Sequence, residues 1–449
     1  MSQEKPREQR VYPEGISPKA VVGIPKVVLQ APRGTSDILP EEQAYWRHVE
    51  RMAVRLCELY GYGRIDTPTF EDVGLFSRSI GEGTDIVEKE MYTFEDKGGN
   101  QLTLRPDGTA PVCRAYLEHG MSNLPQPVRL YYLAPIFRYE RPQAGRYREH
   151  YQFGYEALGD GEASLDAEVI DMAWQFFASL GLHNLTLKLN SIGCRRCRPE
   201  YLTSLKDHYS ERTQELCKDC KVRLERNPLR LLDCKKPECQ EVADQAPKSI
   251  DYLCPECGEH FSRLRVYLER LGLPYEISHR LVRGLDYYTR TVFEIQPESE
   301  GAQSTLGGGG RYDDLIGELG GKPTPAIGFA SGMERIILNL KKQGVSVPAL
   351  PRPQVLVAYV GDRAKDEAVA LSAKLRRAGI GVIGVAGSRS LKAQLRQANA
   401  LACRYAVIIG DEEIKAGTVI LRDMTTSEQE ALPLAHLETR LITGLVSSS

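Results

Sequence analysis

The sequence lacks most of the features that assign a protein quickly. No apolar run reaches the ~18 residues that suggest a membrane-spanning helix, so no membrane role is expected. The opening stretch, MSQEKPREQR, is polar and has no apolar h-region. A secretory leader is therefore not expected, and the cytoplasm is the expected location. Net charge is only −2, from 58 basic and 60 acidic residues. Any polyanion would have to be met by a local patch, not by the molecule as a whole. There is no G-x-x-x-x-G-K-[ST], so a P-loop is not the route to a nucleotide. Gly379, Gly381 and Gly384 satisfy G-x-G-x-x-G, but they precede a strand-like run instead of joining a strand to a helix. They read as loop punctuation. Internal repeats and low-complexity tracts are absent.

What is present is an ordinary globular composition, 42% hydrophobic and 26% charged, over 449 residues. That length exceeds one usual core and implies two or three domains. Residues 1–30 show little periodicity and are expected to form a flexible extension. Val49, Met52, Ala53, Leu56, Leu59 and Tyr60 recur at helical spacing, with Gly61 placed to end the helix. Strands are expected over 63–70, 91–94, 101–104, 128–139, 151–158 and 183–192, with a helix over 165–180 and another near 331–341. Gly307-Gly308-Gly309-Gly310 reads as a turn suited to close backbone approach to a ligand. This mixture predicts an α+β domain with an antiparallel sheet, over 31–345. The proline-rich segment 346–353 marks a linker. Beyond it, strand and helix alternate as in a small α/β domain with a largely parallel sheet, 354–449.

Eight of the eleven cysteines fall between Cys194 and Cys257, inside a segment, about 193–278, that interrupts the α+β pattern. Cys194/Cys197, Cys217/Cys220 and Cys254/Cys257 are C-x-x-C pairs, and Cys234/Cys239 are separated by four residues. Eight thiols so spaced match two structural zinc sites; reduced thiols and disulfides are the alternatives. His208 and His260 are alternative ligands.

The chemistry-bearing stretches come in a definite order. In FRYERPQAGRYREHYQFGYE, 137–156, two strands bracket a loop with Arg141, Gln143, Arg146 and Arg148. Arg138 ends the first strand, where its planar fork suits a phosphate; strand alternation puts Glu140 on the same face, able to accept from an adenine amine. Ala326 to Arg335 runs from a strand into a helix. Between these lies LVRGLDYYTRTVFE, 281–294, in which Arg283 precedes Tyr287 and Tyr288. A cation beside two phenols suits a carboxylate and a polar ring.

These segments resemble the three motifs of class II aminoacyl-tRNA synthetases. Gly63 to Pro68 is similar to motif 1, 137–156 to motif 2 and Ala326 to Arg335 to motif 3. The 281–294 segment is similar to the substrate-specific motif of the histidyl-tRNA synthetase family, bacterial type. The class I signatures H-I-G-H and K-M-S-K-S are missing. The resemblance implies a homodimeric ligase that joins L-histidine to ATP and then to tRNA(His), with Mg²⁺. It implies histidine binding by Asp107, Gly108, Thr109, Arg138, Gln152, Glu156, Arg283, Tyr287 and Tyr288. Asp107 stands where the family often has glutamate, which keeps the charge. ATP contacts are implied for Arg138, Glu140 and Arg335, and catalytic roles for Arg283 and Arg138. Arg141 and Gln143 are implied in tRNA contact, and 354–449 resembles an anticodon-binding domain. The alternatives are a non-catalytic, histidine-sensing regulatory paralog and a class II synthetase for another amino acid.

Overall fold

The structure, a computed structural model, describes residues 29–446 apart from 82–83, 85, 143–144, 299–304, 385–386 and 388. Most of the expected N-terminal extension, and Gln143, lie outside the described residues. The chain divides between Pro348 and Ala349 into two compact units, described in turn.

The first unit is built on an eight-stranded sheet. Its order is Gly63–Arg64, Val128–Phe137, Glu149–Leu158, Ala326–Gly332, Gly307–Arg311, Thr289–Pro297, Leu185–Ser191 and Tyr275–Ile277. Neighbours are antiparallel except at the two edges, where each terminal strand pairs in parallel. Side-chain alternation divides the sheet into a dry face and a cleft face. Phe153, Tyr155, Phe293 and Phe329 point to the dry face and pack with Phe176 and Phe177 of the helix Ala163–Ser179. The rings of Phe293 and Phe329 stack at 6.2 Å, a contact worth about 0.5–1.5 kcal/mol beyond its buried area. Gln152, Glu156 and Glu294 occupy alternate positions on the same strands and line the cleft. The helix Gln43–Leu59 buries Trp46, Val49, Ala53, Leu56 and Cys57 along one side and ends before Gly61, at φ +74°, as its spacing implies.

Two expectations fail for physical reasons. The stretch 63–70 is not one strand. Pairing stops after Arg64 because the Thr67 and Pro68 carbonyls accept from the buried Arg105 guanidinium instead, at 2.8 and 3.3 Å. The four glycines are not a turn. Gly307–Arg311 is a fully buried strand in the sheet interior, paired on both sides. Glycine composition favours a turn in isolation, but here the missing side chains let a central strand lie under crowded neighbours.

The strands expected at 91–94 and 101–104 form a hairpin: Tyr92–Glu95 pairs with Gln101–Leu104, and Phe70–Asp72 adds a third strand. Its turn is closed by the Asp96 carboxylate, which accepts from the Gly98 and Asn100 amides at 2.7 and 2.9 Å. The cysteine-rich segment forms the helices Arg198–Ser210, Lys218–Arg226 and Pro237–Asp244 around a small core that includes Tyr201, Leu205 and Tyr209. It returns through Pro255–Arg270, which packs on Ala163–Ser179.

The second unit has a five-stranded sheet. Val382–Gly384, Val355–Val360 and Tyr405–Gly410 are parallel, as the alternation predicts. The last two central strands are almost continuously buried, which is why they read as unbroken apolar runs. The hairpin Thr418–Asp423 and Gln429–Pro433 extends the sheet antiparallel, an addition the sequence reading did not resolve. No helix among the described residues is long and apolar enough to cross a membrane.

One ion pair joins the layers of the first unit. Arg311, at the end of the glycine strand, donates to Asp166 at 2.7 Å, and both side chains are fully buried. Arg311 also donates to Asp313 and to the Asp160 and Glu162 carbonyls, while Thr291 donates to Asp166. Removing one partner strands a buried charge, at about 3–5 kcal/mol. Asp166→Ala should lower unfolding stability by about that amount in urea titration; a loss below ~1 kcal/mol would contradict this role for the pair.

Candidate active site

The cleft face holds a cavity of about 940 Å³. Asp107, Thr109, Arg138, Glu140, Gln152, Glu156, Arg283, Tyr287, Tyr288 and Arg335, all named from sequence, line it. Gly108 instead takes the N-cap position of the helix Thr109–Glu118. Arg141 is exposed on the loop between the two long strands.

The floor is acidic and crowded. Glu156 accepts from the Thr109 hydroxyl at 2.7 Å and from the Tyr312 hydroxyl at 2.5 Å. Burial pushes its pKa up to about 8; the two hydrogen bonds oppose that rise and the nearby Asp107 adds to it. Asp107 is also raised by burial, although its carboxylate accepts from the Ala110 amide at 3.1 Å. The carboxylate of Glu156 lies across Gly328, directly opposite in the sheet register, where a Cβ would collide with it. Tyr287 lies tilted against Tyr288, ring centroids 4.7 Å apart, and meets Tyr312 edge-on at 5.7 Å. Gln152 accepts from the Tyr132 hydroxyl at 3.0 Å.

The cleft is also cationic. Arg283 pairs with Glu294 and lies 5.8 Å over the Tyr288 ring. Burial works against its charge, but Glu294 and Tyr288 hold its pKa above the ordinary value. A Cβ at Gly308 would come within 2.6 Å of the Arg283 guanidinium, so glycine there lets the arginine cross the strand. Arg138 is steered by the Pro106 carbonyl at 2.7 Å. Arg335 is held at 3.0 Å from both the Gly145 and Thr305 carbonyls. His150 sits between Arg138 and Arg335; burial and those two charges bring its pKa down to about 3, so it is neutral at pH 7. Glu140 does not follow the alternation argument. The strand ends at Phe137, and the Glu140 side chain pairs with Arg146 at 3.3 Å while still lining the cleft.

Sequence reasoning missed Tyr132, Tyr312, Glu294 as the partner of Arg283, and Glu334. Glu334 accepts from the Tyr151 amide at 2.9 Å, and burial pushes it up to about 7. The one available signal was position. Tyr312 directly follows the glycine strand, and Glu294 closes the segment that opens with Arg283.

The arrangement is a pocket that holds buried acids, phenols and oriented arginines together. Known proteins match this chain over most of its length. The sequence model described as histidyl-tRNA synthetase matches residues 34–336, and that of the anticodon binding domain matches 354–443. This chain belongs to the histidyl-tRNA synthetase family. It is 62% identical over 408 residues to the histidine–tRNA ligase of Dehalococcoides mccartyi (strain ATCC BAA-2266 / KCTC 15142 / 195), covering 91% of this chain and 98% of that one. The histidine–tRNA ligase of Desulforamulus reducens is 51% identical, covering 90% and 97%. The structure of apo histidyl-tRNA synthetase from S. aureus superposes with a TM-score of 0.77 at 39% identity, covering 92% of this chain and 99% of that one. As in that family, a catalytic unit of antiparallel sheet and helices precedes the anticodon-binding unit.

The raised Glu156 pKa has a measurable consequence. The folded protein holds this proton above the ordinary carboxylate range, so the contribution is fully present below pH ~4.5 and is lost as pH rises through about 8. Unfolding free energy should therefore fall from pH 6 to 9 less steeply in Glu156→Gln than in the parent, by an amount on the order of a few kcal/mol. Identical slopes in denaturant titrations would contradict the assignment.

Proposed function

We propose that this chain is a histidine–tRNA ligase: it activates L-histidine with ATP to histidyl-adenylate and pyrophosphate, then transfers histidine to the 3′ end of tRNA(His). The observation that carries this reading is the charge make-up of the cleft, which gathers the buried Asp107 and Glu156 with Arg138, Arg283 and Arg335 in one pocket. Histidine is an ammonium, a polar ring and a carboxylate. Asp107 and Thr109 take the ammonium, and Glu156, Gln152, Tyr287 and Tyr288 form the surroundings of the imidazole. A pocket that hydrogen-bonds a polar ring rejects apolar analogues, because its own buried groups would be left unpaired.

Activation brings the histidine carboxylate against the α-phosphate of ATP. Two anions must approach in line, so the site works by positioning and charge. Arg283 and Arg138 flank the reacting groups, and Arg335 meets the distal phosphates or the adenine face beside Glu140. Glu294 keeps the Arg283 fork oriented before substrate arrives. Mg²⁺, when bound, neutralises the leaving pyrophosphate. Among the described residues the metal-ligand clusters are the two cysteine sets, which favours Mg²⁺ arriving on the phosphates of ATP and not in a protein cage. We assign 31–345 as the catalytic domain with its insertion at 193–278, 346–353 as linker and 354–449 as the anticodon-binding domain. Arg141 and Gln143 extend the same site toward tRNA. The reading includes a homodimer in the cytoplasm. A non-catalytic histidine sensor would require neither Arg283 nor the anticodon-binding match at 354–443, and both are present.

ATP–pyrophosphate exchange across a panel of amino acids tests the reading: exchange is expected with histidine alone, and its absence would overturn the assignment. Arg283→Ala should slow adenylation by about 10²–10³-fold, on the scale of removing one transition-state donor, with histidine binding largely kept. Unchanged single-turnover rates would remove that role. Because an imidazole N–H donating to its carboxylate, with the ammonium at the neighbouring Asp107, favours the ionised Glu156, histidine binding below pH ~8 should release a proton. Calorimetry in two buffers of different ionisation enthalpy reads that proton directly, and Glu156→Gln should abolish it.

A further inference from the structure

The eight clustered cysteines fall into two sets of four. Cys194, Cys197, Cys254 and Cys257 form one, and Cys217, Cys220, Cys234 and Cys239 the other; within each, all sulfurs lie within 4.8 Å of one another. None is in a disulfide. The Sγ atoms of Cys194 and Cys197 are 3.7 Å apart, and those of Cys194 and Cys254 are 3.9 Å apart. A disulfide would need about 2.05 Å. Four sulfurs at ~2.3 Å around a tetrahedral zinc ion stand about 3.8 Å from each other, which is the spacing found. Backbone amides already point at the sulfurs, from Cys194 to Cys197 and from Cys217 to Cys239, each at 3.2 Å. His208 and His260 are not part of either set: His208 meets the Val242 carbonyl at 3.0 Å, and His260 faces Asp166 at 3.5 Å.

The two sets occupy different structural positions. The first gathers the two ends of the insertion, since Cys194 and Cys197 follow the sheet strand Leu185–Ser191 and Cys254 and Cys257 open the helix Pro255–Arg270. The second lies in the small core of the insertion itself, with Leu224, Leu231 and Val242. The second borders the cleft, and the first reaches it through one side chain. Arg198, next after Cys197, donates to the Tyr288 carbonyl at 2.6 Å and to those of Gly193 and Ile192 at 3.1 and 3.2 Å. Cys234 lies between the cleft-lining residues Asp233 and Lys235, and Cys239 precedes the cleft-lining Gln240. Short helices around so small a core need an added staple.

We propose that the insertion binds two zinc ions, each by four cysteine thiolates. The first ion clasps the ends of the insertion and, through the positioning residue Arg198, holds the backbone of Tyr288; the second fixes the insertion's wall of the cleft. Each cysteine gives up its thiol proton to solvent on binding, and no redox step is involved.

Elemental analysis of the full-length protein, dialysed after purification, should find two zinc atoms per chain, released together by a mercurial thiol reagent. Denatured in the presence of chelator, the protein should show eleven reactive thiols. Less than one zinc per chain in active protein, cysteines recovered as disulfides, or stoichiometric iron with visible absorption would each overturn the proposal. Cys257→Ser should leave one zinc and raise the KM for histidine severalfold more than the KM for ATP, as should Arg198→Met with both zinc ions retained. If either KM for histidine stays at the parent value, the link from the first site to Tyr288 is wrong. If the cysteine variant does not fold, zinc content and thiol counts on the parent protein still decide the two sites.

Discussion

The buried contact between Arg311 and Asp166 is the constraint on which the catalytic unit depends. A guanidinium and a carboxylate with no solvent exposure survive only when every hydrogen-bonding position is used, and here nearly all are. Arg311 reaches Asp166, Asp313 and two carbonyls, and Asp166 also accepts from Thr291. The pair sits where the pairing of the glycine strand with Thr289–Pro297 shifts register, between Gly310 and Arg311. It therefore fixes where that strand stops. The next residue, Tyr312, is thereby delivered to Glu156, and the strand before it leaves room for Arg283. A structural ion pair thus sets the position of residues in the pocket.

The cleft holds its acids and its arginines in place before substrate arrives. Its acids are held partly protonated by burial, while its arginines are oriented by carbonyls and by Glu294. Such orientation is settled before binding, so little reorganisation is left for the moment of reaction. The insertion matters to this economy because its residues form part of the cleft wall. A loosely held insertion would leave that wall undefined.

Much of the fold was legible because it obeys short-range rules. Helical spacing marks Gln43–Leu59, and unbroken apolar runs mark the parallel strands of the second unit. The residues named through motif resemblance line one cleft, apart from Gly108, Arg141 and Gln143, the last outside the described residues. Other features were not legible. Glu140 was assigned by alternation beyond the point where the strand ends. The glycines were read as a turn, because nothing local says that two strands will flank them. Tyr132 and Tyr312 are ordinary strand or post-strand tyrosines until the sheet sets them against Gln152 and Glu156.

The sequence alone determined the family, the order of the motifs, the two-unit plan and the cysteine pairs, since each is written in residue type and local spacing. Tertiary structure decided which pairs join into fours, which acid meets which phenol, and that Glu294 orients Arg283. Those contacts join residues that can lie far apart in the chain, and sheet register or burial, not spacing, brings them within reach. The shifted pKa of Glu156 belongs to the same class: a carboxyl group has no such property until the fold removes it from water.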